Sequence, residues 1–323
     1  MRCKEFLFLL IPFLLFIACD RIEEDPKGDE AVRLDAWIKV NNIVADTITP
    51  DGLYFINEVE GTGAYPSDSN YLVYNVTIRN LDDYVYSSTI KDTAKLFDLF
   101  SYTSHYVPAY SQYFTKSFTP KGLREGLKMM KEGGKARLIM KSNLAFGKYG
   151  SGDIGSYESL IFDVELVKVV PDPKVYEKSQ IDEYLANNPG FVNYNDSVYI
   201  KIMDDDAAVN HYIGKDTLVY VFYTGRFLDG YVFDTNVDTV AVNNHIYSTT
   251  KSYAQLSFNI GDKSVTEGFE YAIKHMKAKT RIRALIPSAY EYGSTGKTSS
   301  SPTILPYSPL IFDIYLYQVG ESK

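Results

Sequence analysis

Apolar residues at helical spacing mark one segment in the last third of the chain. Between Ser264 and Arg283, the positions i, i+3, i+4 and i+7 are occupied by Phe269, Ala272, Ile273 and Met276. This spacing places all four side chains on one face of a short helix. From Thr280 onward, apolar and basic residues alternate with the two-residue period of a strand. The pattern therefore predicts a helix followed by a strand.

The same helix-then-strand pattern occurs earlier, from Thr119 to Met140. Gly122 corresponds to Gly268 and Met130 to Met276, both at an offset of 146 residues. Two further pairs of segments are similar in sequence. SLIFDVELVKVV (159–170) corresponds to PLIFDIYLYQVG (309–320), and NVTIRNLDDYVYSS (75–88) corresponds to FYTGRFLDGYVFDT (222–235). A repeat of this length predicts two tandem globular domains, since solenoid repeats are much shorter.

The remaining pattern predicts the other elements of each copy. Helical spacing predicts one helix before each copy, at 30–44 and 175–186, and the apolar face of the first carries Leu34, Trp37, Val40 and Val44. Alternation predicts strands at 53–59, 71–78, 136–140, 160–169, 198–203 and 218–223. Poorly patterned insertions occupy 88–118 and 236–254. Several antiparallel strands with one short helix per copy make an α+β fold.

The N-terminus has the pattern of an export signal. Arg2 and Lys4 precede an apolar run from Phe6 to Ala18, which is too short to span a bilayer and fits a secretory signal sequence at 1–19. The run ends in LFIAC, which resembles a bacterial lipobox and implies that Cys19 is lipidated and holds the protein on a membrane. An ordinary signal peptide with a chance cysteine is the alternative.

An acidic, polar tether is predicted at 20–29. An acidic run directly after a lipidated cysteine resembles the surface-export signal of Bacteroidetes lipoproteins, and a plain solvated linker is the alternative. We therefore expect an exported protein, lipid-anchored to the cell envelope in the outer membrane, on its periplasmic or its surface face. Because Cys3 would leave with the signal and Cys19 would carry lipid, the mature chain would have no cysteine for a disulfide or a catalytic thiol.

Composition narrows the classes of function. The 323 residues carry a net charge of −8, so a basic nucleic-acid-binding face is not expected. The aromatic content of 15% favours strands, and a sugar- or peptide-binding surface is the sharper interpretation. The four histidines lack metal-ligand spacing, and no calcium-loop pattern surrounds the acidic run at 204–206. No metal and no cofactor are predicted.

The second copy resembles the FKBP-type peptidyl-prolyl cis-trans isomerase domain in the order and spacing of short segments. These are VFYTG (221–225), LDG (228–230), FD (233–234), FNIG (258–261), VTEGFE (265–270), IPS (286–288), YG (292–293), LP (305–306) and LIFD (310–313). The resemblance implies two tandem domains, at 30–170 and 171–323. Each would be a twisted antiparallel sheet wrapped around one short helix.

The resemblance also implies a prolyl-binding pocket in the second copy. The matching positions give six catalytic residues and two substrate-binding residues: Tyr223, Phe233, Asp234, Phe269, Tyr292 and Phe312, with Val265 and Ile304. Phe269 stands where the family usually has tryptophan, and the Tyr292 hydroxyl would bind a substrate carbonyl. The expected substrates are proline-containing polypeptides. Each of these aromatic residues, taken alone, also suits ordinary core packing.

The first copy departs from the family pattern at the pocket. Its matching residues are Val76, Ile78, Tyr86, Ser87, Leu123, Phe146 and Phe162, at the positions of Tyr223, Gly225, Phe233, Asp234, Phe269, Tyr292 and Phe312. We expect it to keep the fold without activity, as a spacer, a dimerisation surface or a partner-binding module.

Three hypotheses for the whole chain follow. The first is an exported prolyl isomerase and folding factor, active in the second copy only. The second is a non-catalytic tandem FKBP scaffold that binds an envelope protein. The third is a lipoprotein that captures glycans or peptides. Intact Tyr223, Phe233, Asp234 and Tyr292 favour the first hypothesis. Phe269, the two long insertions near the expected pocket mouth and the eroded first copy favour the second.

Overall fold

The computed structural model describes residues 25–112, 120–194, 198–204, 213–299 and 302–322. The predicted signal sequence with Cys19, and residues 20–24 of the predicted tether, lie outside these ranges. So do residues 113–118 of the first predicted insertion, the following Thr119, and two residues of the acidic run at 204–206. Within the described ranges, no helix combines the length and apolar character needed to cross a membrane.

The first copy forms an antiparallel sheet of seven strands in the part described. The strands are β1 (Thr47–Ile48), β2 (Tyr54–Val59), β3 (Tyr71–Asn80), β4 (Val85–Ser88), β5 (Ala109–Gln112), β6 (Lys135–Met140) and β7 (Leu160–Val170). Their order is β1-β2-β6-β7-β3-β4, and β5 also pairs with β3. The helices are α1 (Pro26–Val40), α2 (Lys91–Leu96) and α3 (Lys121–Met129).

The second copy repeats this topology strand for strand. Its strands are β8 (Val192–Tyr194), β9 (Val198–Ile202), β10 (Thr217–Arg226), β11 (Val232–Thr235), β12 (Leu256–Asn259), β13 (Thr280–Ile286) and β14 (Leu310–Ser322). The order is β11-β10-β14-β13-β9-β8, with β12 on β10. The helices are α4 (Pro173–Asn187), α5 (Asp238–Asn243) and α6 (Glu267–Lys274). The predicted α+β fold of two tandem antiparallel units is confirmed.

One face of each sheet packs on its short helix, α3 or α6. The four apolar residues predicted on one face of α6 are at most 4% exposed, and Leu123, Leu127 and Met130 are buried in the same way beside α3. Glycines at the start of both helices permit a close approach, because a Cβ atom would overlap Met140 at Gly122 and Ile286 at Gly268. Each short helix therefore buries one face against its sheet, as the apolar spacing predicts.

The helix before each copy covers part of the opposite face of the sheet. Leu34 of α1 packs with Ile139 and Ile161, and Ile181 of α4 packs with Leu285 and Ile311. These strands are consequently buried on both faces, which is why alternation weakens where the preceding helix lies.

The position of α1 differs from the sequence prediction. The helix begins at Pro26 and ends at Val40, about one turn earlier than the predicted 30–44, so it takes in the last residues of the predicted tether. Val40 and Val44, predicted on its buried face, are 78% and 83% exposed. Proline is preorganised for the first position of a helix, which accounts for the earlier start. The limits of the two domains stay predictions.

A buried glutamate fixes each preceding helix to its copy. Glu30 accepts hydrogen bonds from the Ser142 amide and hydroxyl, at 2.5 and 2.8 Å, and from the Ser159 hydroxyl at 3.0 Å. Glu177 accepts the same pair from Ser288, also at 2.5 and 2.8 Å. Burial raises the pKa of Glu177, and the bonds from Ser288 oppose that rise. Each carboxyl group thus joins α1 or α4 to the turn that follows β6 or β13.

Replacing Glu177 with alanine is expected to lower the free energy of unfolding of the second copy by about 1–3 kcal/mol. The reason is that the buried Ser288 amide and hydroxyl would lose their acceptor. Urea unfolding of the full chain measures the effect. The matched control is Glu183→Ala, an exposed glutamate on the same helix, which should change stability by less than about 0.5 kcal/mol. Equal losses in both variants would contradict the proposed role of Glu177.

Candidate active site

The structure brings the eight predicted pocket residues of the second copy together. Three are buried within one hydrophobic core cluster and four are half-buried against it: Phe269, Ile304 and Phe312, then Tyr223, Phe233, Val265 and Tyr292. The eighth, Asp234, joins them through a hydrogen bond. Residues from α6, β10, β11, β14 and two loops thus converge on one site, although they span 90 positions of the chain, from 223 to 312.

Four of these side chains form a set of edge-to-face and tilted aromatic contacts. The Phe312 ring lies 5.1 Å from that of Phe269 and 5.8 Å from that of Phe233, at interplanar angles of 74° and 87°. The Tyr223 ring lies 5.7 Å from Phe269 at 80°. Aromatic rings favour this geometry because the positive edge of one faces the negative face of another. Phe269 therefore contacts both Tyr223 and Phe312 without the larger indole ring.

The polar edge of the site is built around Asp234. The Tyr223 hydroxyl donates to Asp234 Oδ2 at 2.7 Å, and Lys251 Nζ forms an ion pair with the other carboxylate oxygen. Burial raises the pKa of Tyr223, and the negative charge of Asp234 raises it further. The phenol therefore stays protonated and keeps donating to Asp234 across the physiological pH range.

Tyr292 lies at the other side of the site, after the 3-10 turn Ser288–Tyr290. Burial raises the pKa of its hydroxyl, and the nearby ammonium group of Lys297, which lies 5.1 Å from the ring centroid, opposes that rise. A protonated phenol in this position is a hydrogen-bond donor suited to a carbonyl oxygen.

A glycine on β10 makes room for the aromatic wall. A Cβ atom at Gly225 would lie 2.5 Å from Phe233 Cζ and 3.0 Å from Phe312 Cε1. Residue 225 pairs with Asp234 across the β10–β11 hairpin, just as Ile78 pairs with Ser87 in the first copy. Because Ile78 carries a branched side chain, the first copy cannot place an aromatic ring over its strand in the same way.

The first copy fills the corresponding space with an ordinary core. Leu123 and Phe162 are buried there, and Val76, Ile78, Tyr86 and Phe146 pack against them. The Tyr86 hydroxyl donates to Glu158 Oε1 at 2.5 Å, and burial together with that carboxylate raises its pKa to about 12. Ser87 provides no carboxylate at the position of Asp234. This site therefore lacks both the acidic edge and the aromatic floor of the second copy.

The described parts of the predicted insertions, 88–112 and 236–254, contain organised elements, which corrects their description as poorly patterned. In each, a short helix, α2 or α5, precedes a loop with the pattern Ser-x-Thr-x-x-Tyr, at 101–106 and 248–253. In both loops the tyrosine hydroxyl accepts a hydrogen bond of 2.9 Å from the serine amide. This pattern, repeated at an offset of 147 residues, is a sequence signal that the two loops share one structure.

Two further polar residues near the pocket were not foreseen. The buried Asn236 side chain accepts from the Tyr223 amide at 2.7 Å and donates to the carbonyl groups of Val221 and Ala254, which ties the 236–254 segment to β10. Glu291 precedes Tyr292 and accepts a hydrogen bond of 2.9 Å from Thr266 Oγ1 at the start of α6. Burial raises the pKa of Glu291 to about 8, although the hydrogen bonds from Thr266 and from the Phe269 amide act to lower it.

A cavity of about 640 Å³ lies between the two copies and contains none of the eight predicted residues. Its walls include Tyr110 of β5, Tyr176 of α4, Phe227, Pro306 and Tyr307. The cavity is thus distinct from the predicted pocket. Among the described residues, no group of three histidine, cysteine, aspartate or glutamate side chains is placed to hold a metal ion. His211 lies outside the described residues.

The chain belongs to the FKBP-type peptidyl-prolyl cis-trans isomerase family. The family matches residues 86–167 and 210–317, which together exceed half of the chain. Both copies are covered, so the two sheets are tandem domains of this family.

Curated relatives include the FKBP-type peptidyl-prolyl cis-trans isomerase FkpA of Escherichia coli K12. It is 30% identical over 168 residues, which cover 52% of this chain and 56% of FkpA. A probable FkpA of Neisseria meningitidis serogroup B is 29% identical over 156 residues, covering 47% of this chain and 50% of that protein. The chain thus spans about half the length of the curated relatives it matches.

Solved structures with related folds include the three FKBP domains of wheat FKBP73 and the E. coli FkpA crystal structure. The former is 20% identical, with 86% of this chain and 99% of that chain covered and a TM-score of 0.32. The latter is 25% identical, with 45% and 61% covered and a TM-score of 0.36.

The raised pKa of Glu291 predicts a pH-dependent loss of stability. Its pKa is about 8 in the folded chain against an ordinary value of 4.5, so the neutral carboxyl is favoured by folding. The stabilising contribution of Glu291 to the free energy of unfolding is complete below pH 4.5 and is lost as the pH rises through 8. The glutamine in Glu291→Gln cannot ionise, so this variant should lack this part of the decline in stability with rising pH.

Urea unfolding of the full chain between pH 5 and pH 9 measures the difference. Glu267→Gln, an exposed change at the start of α6, is the control and should follow the wild-type profile. Parallel profiles for Glu291→Gln and the wild type would contradict the prediction.

Proposed function

We propose that the second copy catalyses cis-trans isomerisation of prolyl peptide bonds, and that the first copy does not. The observation that carries this proposal is the joint placement of Tyr223, Phe233, Phe269 and Phe312 in one aromatic cluster, with the Tyr223–Asp234 hydrogen bond at its edge. Membership of the FKBP-type isomerase family supports the same reaction.

The reaction needs no nucleophile, because no covalent bond is broken. Its barrier comes from amide resonance and is about 18–20 kcal/mol. In the twisted transition state the amide loses conjugation. A group that binds the twisted amide more tightly than either planar isomer lowers the barrier, whereas equal binding of both does not. An apolar pocket suits this reaction, since it removes the water that hydrogen-bonds to the planar, more polar amide.

The residues around the pocket have complementary roles in this proposal. The proline ring rests on Phe269 between the walls formed by Phe233 and Phe312, with Val265 and Ile304 completing the apolar contact. The Tyr292 hydroxyl donates to a substrate carbonyl. Asp234 holds Tyr223 in place and gives the pocket mouth its one acidic group. Proline-containing polypeptides are the substrates, and no cofactor or metal takes part.

The first copy, placed at 30–170, serves in this proposal as an accessory domain to the active one at 171–323. Its pocket position holds Leu123 for the aromatic floor and Phe146 for the tyrosine hydroxyl, so neither differential binding nor carbonyl recognition is supported there. The chain would act as a folding factor for exported proteins, held at the cell envelope by the lipid on Cys19. The outer membrane is the proposed site, on its periplasmic or surface face.

The alternative is a non-catalytic scaffold that binds an envelope protein. The ion pair between Lys251 and Asp234 favours it, because the 236–254 insertion thereby reaches the only carboxylate at the pocket edge among the eight predicted residues. An insertion that occupies the mouth would hinder a polypeptide from entering. Lys251→Met separates the two functions. If the chain is an isomerase, the variant should stay active. If the insertion occludes the pocket, peptide binding should appear only when the lysine is removed.

Phe233→Ala is expected to lower kcat/KM for a Xaa-Pro peptide roughly 10- to 100-fold. Burying a phenylalanine side chain contributes about 1.5–3 kcal/mol, and this wall would be lost. Tyr292→Phe removes only the hydroxyl group and should lower kcat/KM about tenfold, as expected for one hydrogen bond in a dry site. A prolyl-isomerisation assay on the full chain provides the measurement.

The first copy offers matched controls at the equivalent positions. Tyr86→Ala corresponds to Phe233→Ala and should leave the rate unchanged, because that copy lacks the pocket. A folded wild-type chain without activity on several Xaa-Pro peptides would refute the isomerase proposal and leave the scaffold. Equal losses from Tyr86→Ala and Phe233→Ala would refute the assignment of activity to the second copy.

Cys19→Ala is expected to abolish incorporation of labelled palmitate and to move the protein from the membrane fraction to the aqueous fraction. Lipidation on a single cysteine is the proposed attachment, so no other cysteine can replace it. Cys3→Ala is the control and should keep both the label and the membrane association. Retained label in Cys19→Ala would rule out the lipobox interpretation.

A further inference from the structure

A loop of the first copy docks on the second copy beside the proposed pocket. We name residues Ser101–Tyr106 the latch loop and residues Phe227–Tyr231, which connect β10 and β11, the pocket hairpin. His105 of the latch loop stacks on Phe227 with ring centroids 4.4 Å apart and an interplanar angle of 8°. Its other neighbour is Tyr231, at 4.6 Å. The imidazole therefore contacts two rings of the pocket hairpin.

Hydrogen bonds that involve side chains of both copies fix the docked position of the latch loop. His105 Nε2 lies 2.7 Å from Asp229 Oδ2, and the Tyr231 hydroxyl donates to the Tyr102 carbonyl oxygen at 2.9 Å. Burial alone would raise the pKa of Asp229, but the bonds from His105 and from the Tyr231 amide hold it below its usual value. Stacking and hydrogen bonding together specify one orientation of the latch loop.

The latch loop also touches the second insertion. The Tyr102 ring lies 4.0 Å from the ring of His245, which follows α5. The insertion that contains His245 supplies Lys251, the partner of Asp234. A single loop of the first copy thus contacts both segments that border the pocket edge.

A short chain of ring contacts connects the latch loop to the pocket wall. Phe227, on which His105 stacks, lies 5.1 Å from Phe233, and Phe233 lies 5.8 Å from Phe312. Phe227 is itself buried in the core of the second copy. A shift of the pocket hairpin would therefore move Phe233, because one closely packed ring cannot shift without displacing its neighbour.

The equivalent loop of the second copy provides an internal comparison. Residues 248–253 share the Ser-x-Thr-x-x-Tyr pattern, but Thr249 and Ser252 stand at the positions of Tyr102 and His105. That loop turns to its own pocket through Lys251, whereas Ser104 occupies the equivalent position in the latch loop. The two copies use one loop structure for two different contacts.

We propose that His105 and Tyr102 make the first copy a positioning domain for the second, with the latch loop holding the pocket hairpin and, through Phe227, the Phe233 wall. The effect on catalysis rests on the proposed function, while the effect on the hairpin does not. This gives the first copy, which has lost its own pocket, a defined contribution to the neighbouring one.

The test uses the full chain with His105→Ala, Asp229→Ala and both together. Exchange of the Phe227 and Gly230 amides should become about tenfold faster in His105→Ala as the hairpin loosens. The NMR signals of the Phe233 ring should shift. The value of kcat/KM should fall about three- to tenfold. Thr249→Ala, an exposed change at the position equivalent to Tyr102, should alter none of these.

The double variant separates a specific contact from general destabilisation. If His105 and Asp229 act as one unit, their effects on kcat/KM will not add, since either change removes the same contact. Unchanged amide exchange in His105→Ala overturns the proposal, and so does faster exchange with unchanged Phe233 signals and kcat/KM. Should the wild-type chain lack isomerase activity, the proposed function fails, and the Phe233 signals alone decide: a shift supports the positioning role and no shift overturns it.

Discussion

The close approach of one short helix to one curved sheet governs the structure of both copies. Gly122 and Gly268 permit it, since a side chain at either position would overlap the strand beneath. The next residue along each helix, Leu123 or Phe269, then points into the concave side of the sheet and is buried there. The depth of any pocket is therefore set by the backbone. Whether a pocket exists at all is decided by a few side chains around it.

Those side chains explain how one fold can hold an aromatic cluster with a Tyr–Asp hydrogen bond in one copy and an ordinary core in the other. Gly225 leaves room for Phe233 above the sheet, whereas Ile78 fills that room in the first copy. Asp234 binds Tyr223, whereas Ser87 and Val76 have no such interaction available. The two copies share one fold and differ in the side chains at these few positions. The loop pattern shared by both copies shows a similar division, because its exposed positions have diverged while its internal hydrogen bonds are kept.

Local periodicity was sufficient to predict the buried faces of α3 and α6 and the main strands, because these depend on neighbours a few residues away. It located Leu34 on the buried face of α1 but misplaced the helix, because the other buried side chain there is a glutamate whose partner, Ser142, lies 112 residues further along the chain. Lys251 and Glu291 escaped prediction for the same reason, since an exposed lysine and one paired with a pocket aspartate have the same local pattern. The resemblance to a family located the aromatic residues of the pocket. It could not locate the contacts that differ from the family.

The buried glutamates have a consequence for the history of the chain. Glu30 binds Ser142 of the sheet that follows it, and Glu177 binds Ser288 in the same way, so each helix belongs to the copy on its C-terminal side. A duplication that keeps these contacts intact therefore needs a segment that begins upstream of the helix and ends with the last strand. Recombination at the junction near Pro171 would exchange a complete, self-consistent module, whereas a break after α4 would separate a buried acid from its only hydroxyl donor among the described contacts.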